Sequence, residues 1–258
     1  MPSALKPPSG YHQIPPIEAF RSLVDGYWIN RPGDGAGVCV LPDGCTDLVF
    51  RGGADDGRLF ASALIERPLP INTTSAWFVG VRFRPAMARA MLDIDPIDCR
   101  DRDVPAHLID AGLGALEDRL LACASADEAF AVLKHATDAR LAQRDGAGAP
   151  RRVQEAVAAL ARGGEVHRVA RAVGMSERSL HRELVRWSGL APKPLARILR
   201  MQRCLAALRA GRGPLALLAP SLGYADQAHM TRELKALAGV TPRQILHDSP
   251  VRNLQDAA

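Results

Sequence analysis

The sequence predicts an α+β chain. A small β-rich sheet or barrel with appended helices comes first, followed by an all-α region of two helix-turn-helix units joined by a linker helix. Three observations lead there. Short runs rich in β-formers, separated by Gly, Pro, Asn and Asp, fill the stretch up to Phe83. Beyond it, apolar residues recur at spacings of three and four. Finally, SERSLHRELVRWSGLAP, starting at Ser176, returns 50 residues later as DQAHMTRELKALAGVTP, starting at Asp226. Arg182, Glu183, Leu184, Gly189 and Pro192 recur as Arg232, Glu233, Leu234, Gly239 and Pro242.

The strands expected are GYWIN (26–30), GVCVLP (37–42), TDLVFR (46–51), RLFASALI (58–65) and AWFVGVRF (76–83). Pro85 suits the first turn of a helix continuing through AMARAML. Helices are then expected at 112–123 and 126–143, which admit pairing between subunits or, more commonly, packing inside one domain. DGAGAP (145–150) interrupts the pattern and divides the chain into residues 1–145 and 150–250. Behind it come RRVQEAVAALARGG, VHRVARAVG and SERSLHRELVRWSG, then the longer PKPLARILRMQRCLAALRAG. PLALLAPSLG, DQAHMTRELKALAG and TPRQILHD repeat the short-helix, turn, helix order.

Charge divides with the fold. Residues 1–150 hold 15 Lys and Arg against 20 Asp and Glu, a net of −5; residues 151–258 hold 18 against 8, a net of +10. A basic rear half suits a polyanionic partner. No apolar run reaches the ~18 residues of a membrane helix, and MPSALKPPSGYHQIPP has no signal-peptide core, so the cytoplasm is the expected location. The five cysteines form no CxxC pair, and His12, His107 and His135 show no metal spacing, so no metal or cofactor is expected.

Helical geometry places the repeated residues. With Leu180 at 0° and 100° per residue, Leu184 and Trp187 fall near about 40° and −20°, an apolar stripe for the core. Arg178 and Arg182 fall opposite, with His181 on one flank. In the second unit Met230, Leu234 and Leu237 form the stripe; Ala228, Arg232 and Lys235 lie opposite, with Thr231 on the flank. Ser176 and Asp226 stand where N-caps are needed. Glu183 and Glu233 sit beside the stripes and read as intramolecular partners for arginines. An arginine-bearing face on a short braced helix suits the DNA major groove, where Arg can bond guanine bidentately. Arg151, Arg152, Arg168, Arg171, Arg197, Arg200 and Arg203 are candidates for phosphate contacts. An exposed arginine is otherwise simply solvated.

VARAVGMSERSLHREL and LLAPSLGYADQAHMTRELKALAGVTP resemble the two helix-turn-helix units of AraC/XylS-type transcription regulators, over roughly residues 150–247. The resemblance implies double-stranded DNA as partner, read by recognition helices 177–187 and 227–237. It implies DNA contacts by Arg178, His181 and Arg182, and by Gln227, Ala228, His229, Thr231 and Arg232; Arg186 and Lys235 on the same helices are further candidates for DNA contact. Ala228 departs from a polar reader and suits only a thymine methyl. RNA polymerase is an implied partner. YWIN, VLPDGCTDLVF and VGVRFRP resemble a poorly characterised domain often joined to such readers, which implies sensing of a small-molecule effector or assembly into a homodimer.

No catalysis is expected. The rival reading makes Cys45 an alkylation or redox sensor. Asp43 and Asp47 flank it, however, and carboxylates disfavour a reactive thiolate. Trp28, Trp77, Phe78 and Phe83 read as core aromatics, with a ligand-pocket lining as the alternative.

Overall fold

A computed structural model of the chain describes residues 10–31, 38–53, 57–71, 76–144, 148–211 and 213–247. The front half is built on a six-stranded antiparallel sheet in the order β1-β2-β7-β4-β5-β8. These strands are β1 (Tyr11–Ile14), β2 (Val24–Asn30), β4 (Thr46–Gly52), β5 (Arg58–Ala61), β7 (Trp77–Phe83) and β8 (Val104–Pro105). A separate antiparallel ribbon pairs β3 (Val38–Val40) with β6 (Leu69–Ile71). Strands β1 and β8 end the sheet order, so it is an open sheet and not a closed barrel.

Alternation along the strands gives the sheet two apolar faces. One carries Tyr27, Ile29, Leu48, Phe50, Val79, Val81 and Phe83. It packs on α2 (Ala111–Leu121) and α3 (Ala126–Gln143), which bring Leu113, Leu116, Leu120 and Leu133. The two helices of 112–123 and 126–143 therefore bury their stripes inside the molecule. Tyr27 Oη donates to Asp138 Oδ1 at 2.5 Å, fixing α3 over the sheet centre. Trp28, Val49, Phe60 and Phe78 project from the other face, towards Ile71 of the ribbon.

Two local expectations change. RLFASALI is not one strand: β5 stops at Ala61, where the Ser62 hydroxyl accepts the Asp47 amide and the chain turns out of the ladder. Pro85 opens a turn instead of a helix. Ala86 takes φ 73°, which an α-helix cannot contain, and α1 (Ala88–Leu92) starts after it.

The rear half is helical. In order it has α4 (Arg151–Ala161), α5 (Val166–Ala172), α6 (Glu177–Ser188) and α7 (Pro192–Arg209). Then come α8 (Leu215–Ser221), α9 (Gln227–Ala238) and α10 (Pro242–His247). The apolar core does not stop at the compositional break near residue 150. One cluster runs from the sheet and α2–α3 through Val153, Leu160 and Val169 to Leu180, Leu184 and Ile198. A second holds Met201, Leu205, Leu218, Met230, Leu234 and Leu237, together with Leu41 from the front half.

Candidate nucleic-acid interface

Helices α6 and α9 are built alike because their ends are. Ser176 Oγ accepts the Ser179 amide at 3.1 Å, and Asp226 Oδ1 accepts the His229 amide at 2.6 Å, each satisfying an amide the first turn leaves free. Gly189 and Gly239 close α6 and α9 in left-handed conformation, at φ 72° and 74°. Between the caps, Leu180, Leu184, Met230 and Leu234 are fully buried and turn the opposite faces outward.

On α6, Arg178, His181, Arg182 and Arg186 are all exposed and form one continuous face. Arg182 Nε also reaches Glu183 Oε1 at 3.3 Å, an exposed contact worth little. On α9, Ala228, Arg232 and Lys235 are exposed. Gln227, His229 and Thr231 are half-buried and differently placed. His229 Nδ1 accepts the Ala225 amide at 3.2 Å, and its ring meets Tyr224 edge-on at 5.5 Å. Thr231 Oγ1 donates back to the Gln227 carbonyl at 2.9 Å. The second face is therefore poorer in free polar groups than the first.

Glu233 is the polar anchor of α9. Its buried carboxylate accepts from Arg200 Nε at 2.9 Å and Arg200 Nη2 at 2.7 and 2.8 Å, and from Arg197 Nε at 3.1 Å. Arg200 also stacks over Tyr224, 4.8 Å from the ring centre. Arg203 donates to the Leu222 carbonyl at 3.1 Å. Three of the arginines suited to phosphate by sequence are thus committed to holding α8 and α9 on α7. Arg151 and Arg168 pair only with exposed neighbours, Glu155 and Glu165, while Arg152 and Arg171 are exposed.

The front half packs against α6 and α7. Arg89 Nη1 donates to the Arg186 carbonyl at 3.2 Å, and its guanidinium lies 5.9 Å from the Trp187 ring. The C-terminal end of α6 therefore rests on α1 while its N-terminal turns stay open. The segment 41–45 is buried against α7: Leu41 has no exposed surface, and the Pro42 carbonyl accepts from Gln202 Nε2 at 2.6 Å. Sequence reasoning missed these contacts because they join residues 160 apart with no motif of their own.

At the end of that segment, a buried charge cluster surrounds Cys45. Arg82 donates to Asp47 through Nε at 3.3 Å and Nη2 at 3.1 Å, and lies 3.3 Å from Asp43 Oδ2. Trp28 Nε1 donates to Asp47 Oδ2 at 2.8 Å. Burial, reinforced by Asp43 and opposed by Arg82, pushes the Cys45 thiol well above its ordinary range. Such a thiol is a poor nucleophile, so nothing here favours the sensor reading. Burial likewise pushes Asp47 up to about 6, with Arg82 pulling the other way. Among the described residues no cluster of His, Cys, Asp or Glu is arranged to hold a metal ion, and no helix is long and apolar enough to cross a membrane.

Fold and site together define two helix-turn-helix units behind a β-sheet domain. Residues 169–248 match the family model described as a helix-turn-helix domain, and residues 12–105 match a domain of unknown function, DUF6597. The C-terminal part of the chain thus carries an AraC-type helix-turn-helix domain, behind a DUF6597 domain. No curated protein matches it. Among solved structures, it is similar to an AraC-type DNA-binding domain-containing regulator from Chromobacterium violaceum. That match has 21% identity and a TM-score of 0.35, over 37% of this chain and 88% of the other. The C-terminal domain of AraT, a response regulator from Geobacillus stearothermophilus, matches at 21% identity and a TM-score of 0.36, over 38% and 85%. ToxT from Vibrio cholerae aligns over 92% of this chain and 98% of its own, at 8% identity and a TM-score of 0.42. These likenesses are too slight to carry a functional argument.

Proposed function

We propose that residues 150–250 read two successive major grooves on one face of DNA, with helices 177–187 and 227–237, and that residues 1–145 modulate that reading. The carrying observation is the pair of capped helices with outward arginine faces, both fixed on α7. The 18 residues of α7 rise about 27 Å, close to the ~34 Å separating successive major grooves on one face. The front half's grip on α6 and α7 gives it leverage on the spacing of the two readers. In this reading the protein works in the cytoplasm, with RNA polymerase and a second copy of the chain as further partners, and performs no chemistry.

A gel-shift titration with DNA from the protein's own promoter region tests it. Arg182→Ala and Arg232→Ala each weaken specific binding by ~1–3 kcal/mol if they contact bases. Exposed arginines that touch only phosphate lower affinity for all sequences alike and flatten its salt dependence. Unchanged specific binding after loss of both arginines overturns the assignment.

A further inference from the structure

The two helix-turn-helix units rest on different parts of the front half. The first shares its core with the sheet: Leu180, Leu184, Leu195 and Ile198 belong to the same apolar cluster as Phe50, Val81 and Met91. Its seat lies under the C-terminal end of α6. A Cβ on Gly189 would stand 2.6 Å from Leu64 Cδ2 and 3.1 Å from the Pro96 carbonyl oxygen. Arg89 donates to the Arg186 carbonyl beside it. The second unit has a core of its own, from Met201 and Leu205 of α7 to Met230, Leu234 and Leu237 of α9. Its seat is the ribbon. Cys39 of β3 packs against that core and Leu41 belongs to it. Pro68, just before β6, stands 3.6 Å from where a Cβ on Gly239 would lie, at the end of α9.

Along α7 the two cores part between Ile198 and Met201. Among the described residues, α4–α6 and α8–α10 pack on α7 rather than on each other. The chain from Leu64 to Pro68 joins their seats a second time. At one end it is tied down: the Leu64 amide donates to the Cys99 carbonyl at 2.7 Å, and Glu66 pairs with Arg100 at 2.8 Å. At the other end it enters β6, where Pro70 lies opposite Cys39. Four residues span at most about 14 Å. Pro68 and Pro70 each have φ fixed by the ring, which leaves the link little slack. Each end of it therefore bears on the closing glycine of one helix, Leu64 on that of α6 and Pro68 on that of α9.

We propose that Leu64–Pro68 is a spacer, that Leu64 and Pro68 are positioning residues for α6 and α9, and that the front half thereby selects the number of base pairs between the two half-sites. The selectivity rests on the two-groove reading; the spacer itself does not. One inserted base pair moves the second groove by about 3.4 Å and turns it by about 35°. Packed seats do not stretch to follow such a shift. A unit that tracks the displaced groove must leave its seat, and the loss appears as weaker binding at the wrong spacing.

The test uses the full chain and duplexes carrying the footprinted site from the protein's own promoter region, with one or two base pairs added or removed between the half-sites. The parent is expected to lose roughly tenfold in affinity or more for a change of one base pair. A variant with two glycines inserted between Arg67 and Pro68 is expected to stay within about threefold across the set. Pro68→Gly loosens the link without lengthening it and is expected to fall between; where the insertion does not fold, it carries the test. A merely structural role would weaken binding to every duplex alike. A specifically binding parent indifferent to spacing, or variants that keep the parent's profile, overturns the proposal. The link is also read without DNA, by pulsed electron spin resonance between spin labels on unnatural residues at positions 177 and 236, both exposed. The parent is expected to give one narrow distance distribution, and the loosened variants a clearly wider one. Equal widths show that α7 alone fixes the separation and overturn the spacer. Widening in the variants of a parent that binds no DNA specifically sinks the DNA reading alone.

Discussion

Replacing Glu233 by alanine tests how α9 is held on α7. The carboxylate takes three hydrogen bonds from Arg200 and one from Arg197. Removing one member of a fully buried ion pair costs ~3–5 kcal/mol, because a charge is left without solvent or partner. This pair is only half of that case. Glu233 is 6% exposed, but Arg200 is 24% and Arg197 48% exposed, so both guanidiniums regain water in the variant. Each hydrogen bond to a charged group is worth ~1.5–3 kcal/mol, and the four share one carboxylate, so they do not add. The balance puts Glu233→Ala at about 2 kcal/mol and Glu233→Gln, which keeps an acceptor, at about half that. Urea unfolding followed by circular dichroism measures both. The double change Glu233→Leu with Arg200→Met is expected to recover most of the loss, since it leaves no stranded charge at Arg200. A loss below ~0.5 kcal/mol for Glu233→Ala would show that the network is ornamental and that apolar packing alone orients α9.

The two closing glycines give a matched comparison. Gly189→Ala meets Leu64 Cδ2 at 2.6 Å and the Pro96 carbonyl at 3.1 Å, whereas Gly239→Ala meets only Pro68 at 3.6 Å. Both carry the left-handed penalty of ~1–2 kcal/mol, so Gly189→Ala is expected to melt at least 4 °C below Gly239→Ala, at ~2–4 °C per kcal/mol; equal melting points would refute the tight docking of α6. Asp226→Ala removes the α9 cap and is expected to cost ~1 kcal/mol by denaturant titration; no measurable cost contradicts a capping role. Asp47 has its folded value raised to about 6 by burial, so its ionised form costs stability above that pH. The cost is relieved as pH falls through about 6 towards the unfolded value of 3.8. Asp47→Asn therefore removes a stability gain that the parent shows between pH 7 and pH 4.5, and parallel pH profiles for the two proteins would be the contrary result.

Much of the reader was legible because its signals are local. Caps, stripes and closing glycines lie within one helix each, and the repeat supplied every one twice. The central strands were legible for a similar reason: TDLVF and FVGVRF are dense in β-formers. The strands that escaped notice are β1, β6 and β8. Pro70 and Pro105 sit inside the last two, and proline argues against a strand. They are tolerated there because β8 is an edge of the sheet and β6 belongs to a two-stranded ribbon. The buried charge cluster was not legible at all. Asp47 and Arg82 face each other only because β4 pairs with β7 in a register that sets those two residues opposite, and nothing nearby in sequence announces it. In sequence Asp47 is a neighbour of Cys45, whereas its principal partner lies 35 residues away.

Leu41 sits in the front half by sequence and in the rear half by packing. Grafting a different sensing domain onto this reader would leave a leucine-sized hole under α7, at a cost of ~2–5 kcal/mol. Functional chimaeras should therefore carry the 39–45 segment along with the reader. Substitutions at Leu41, Gln202 and Leu205 should then be inherited together, as a lock and its key are cut together.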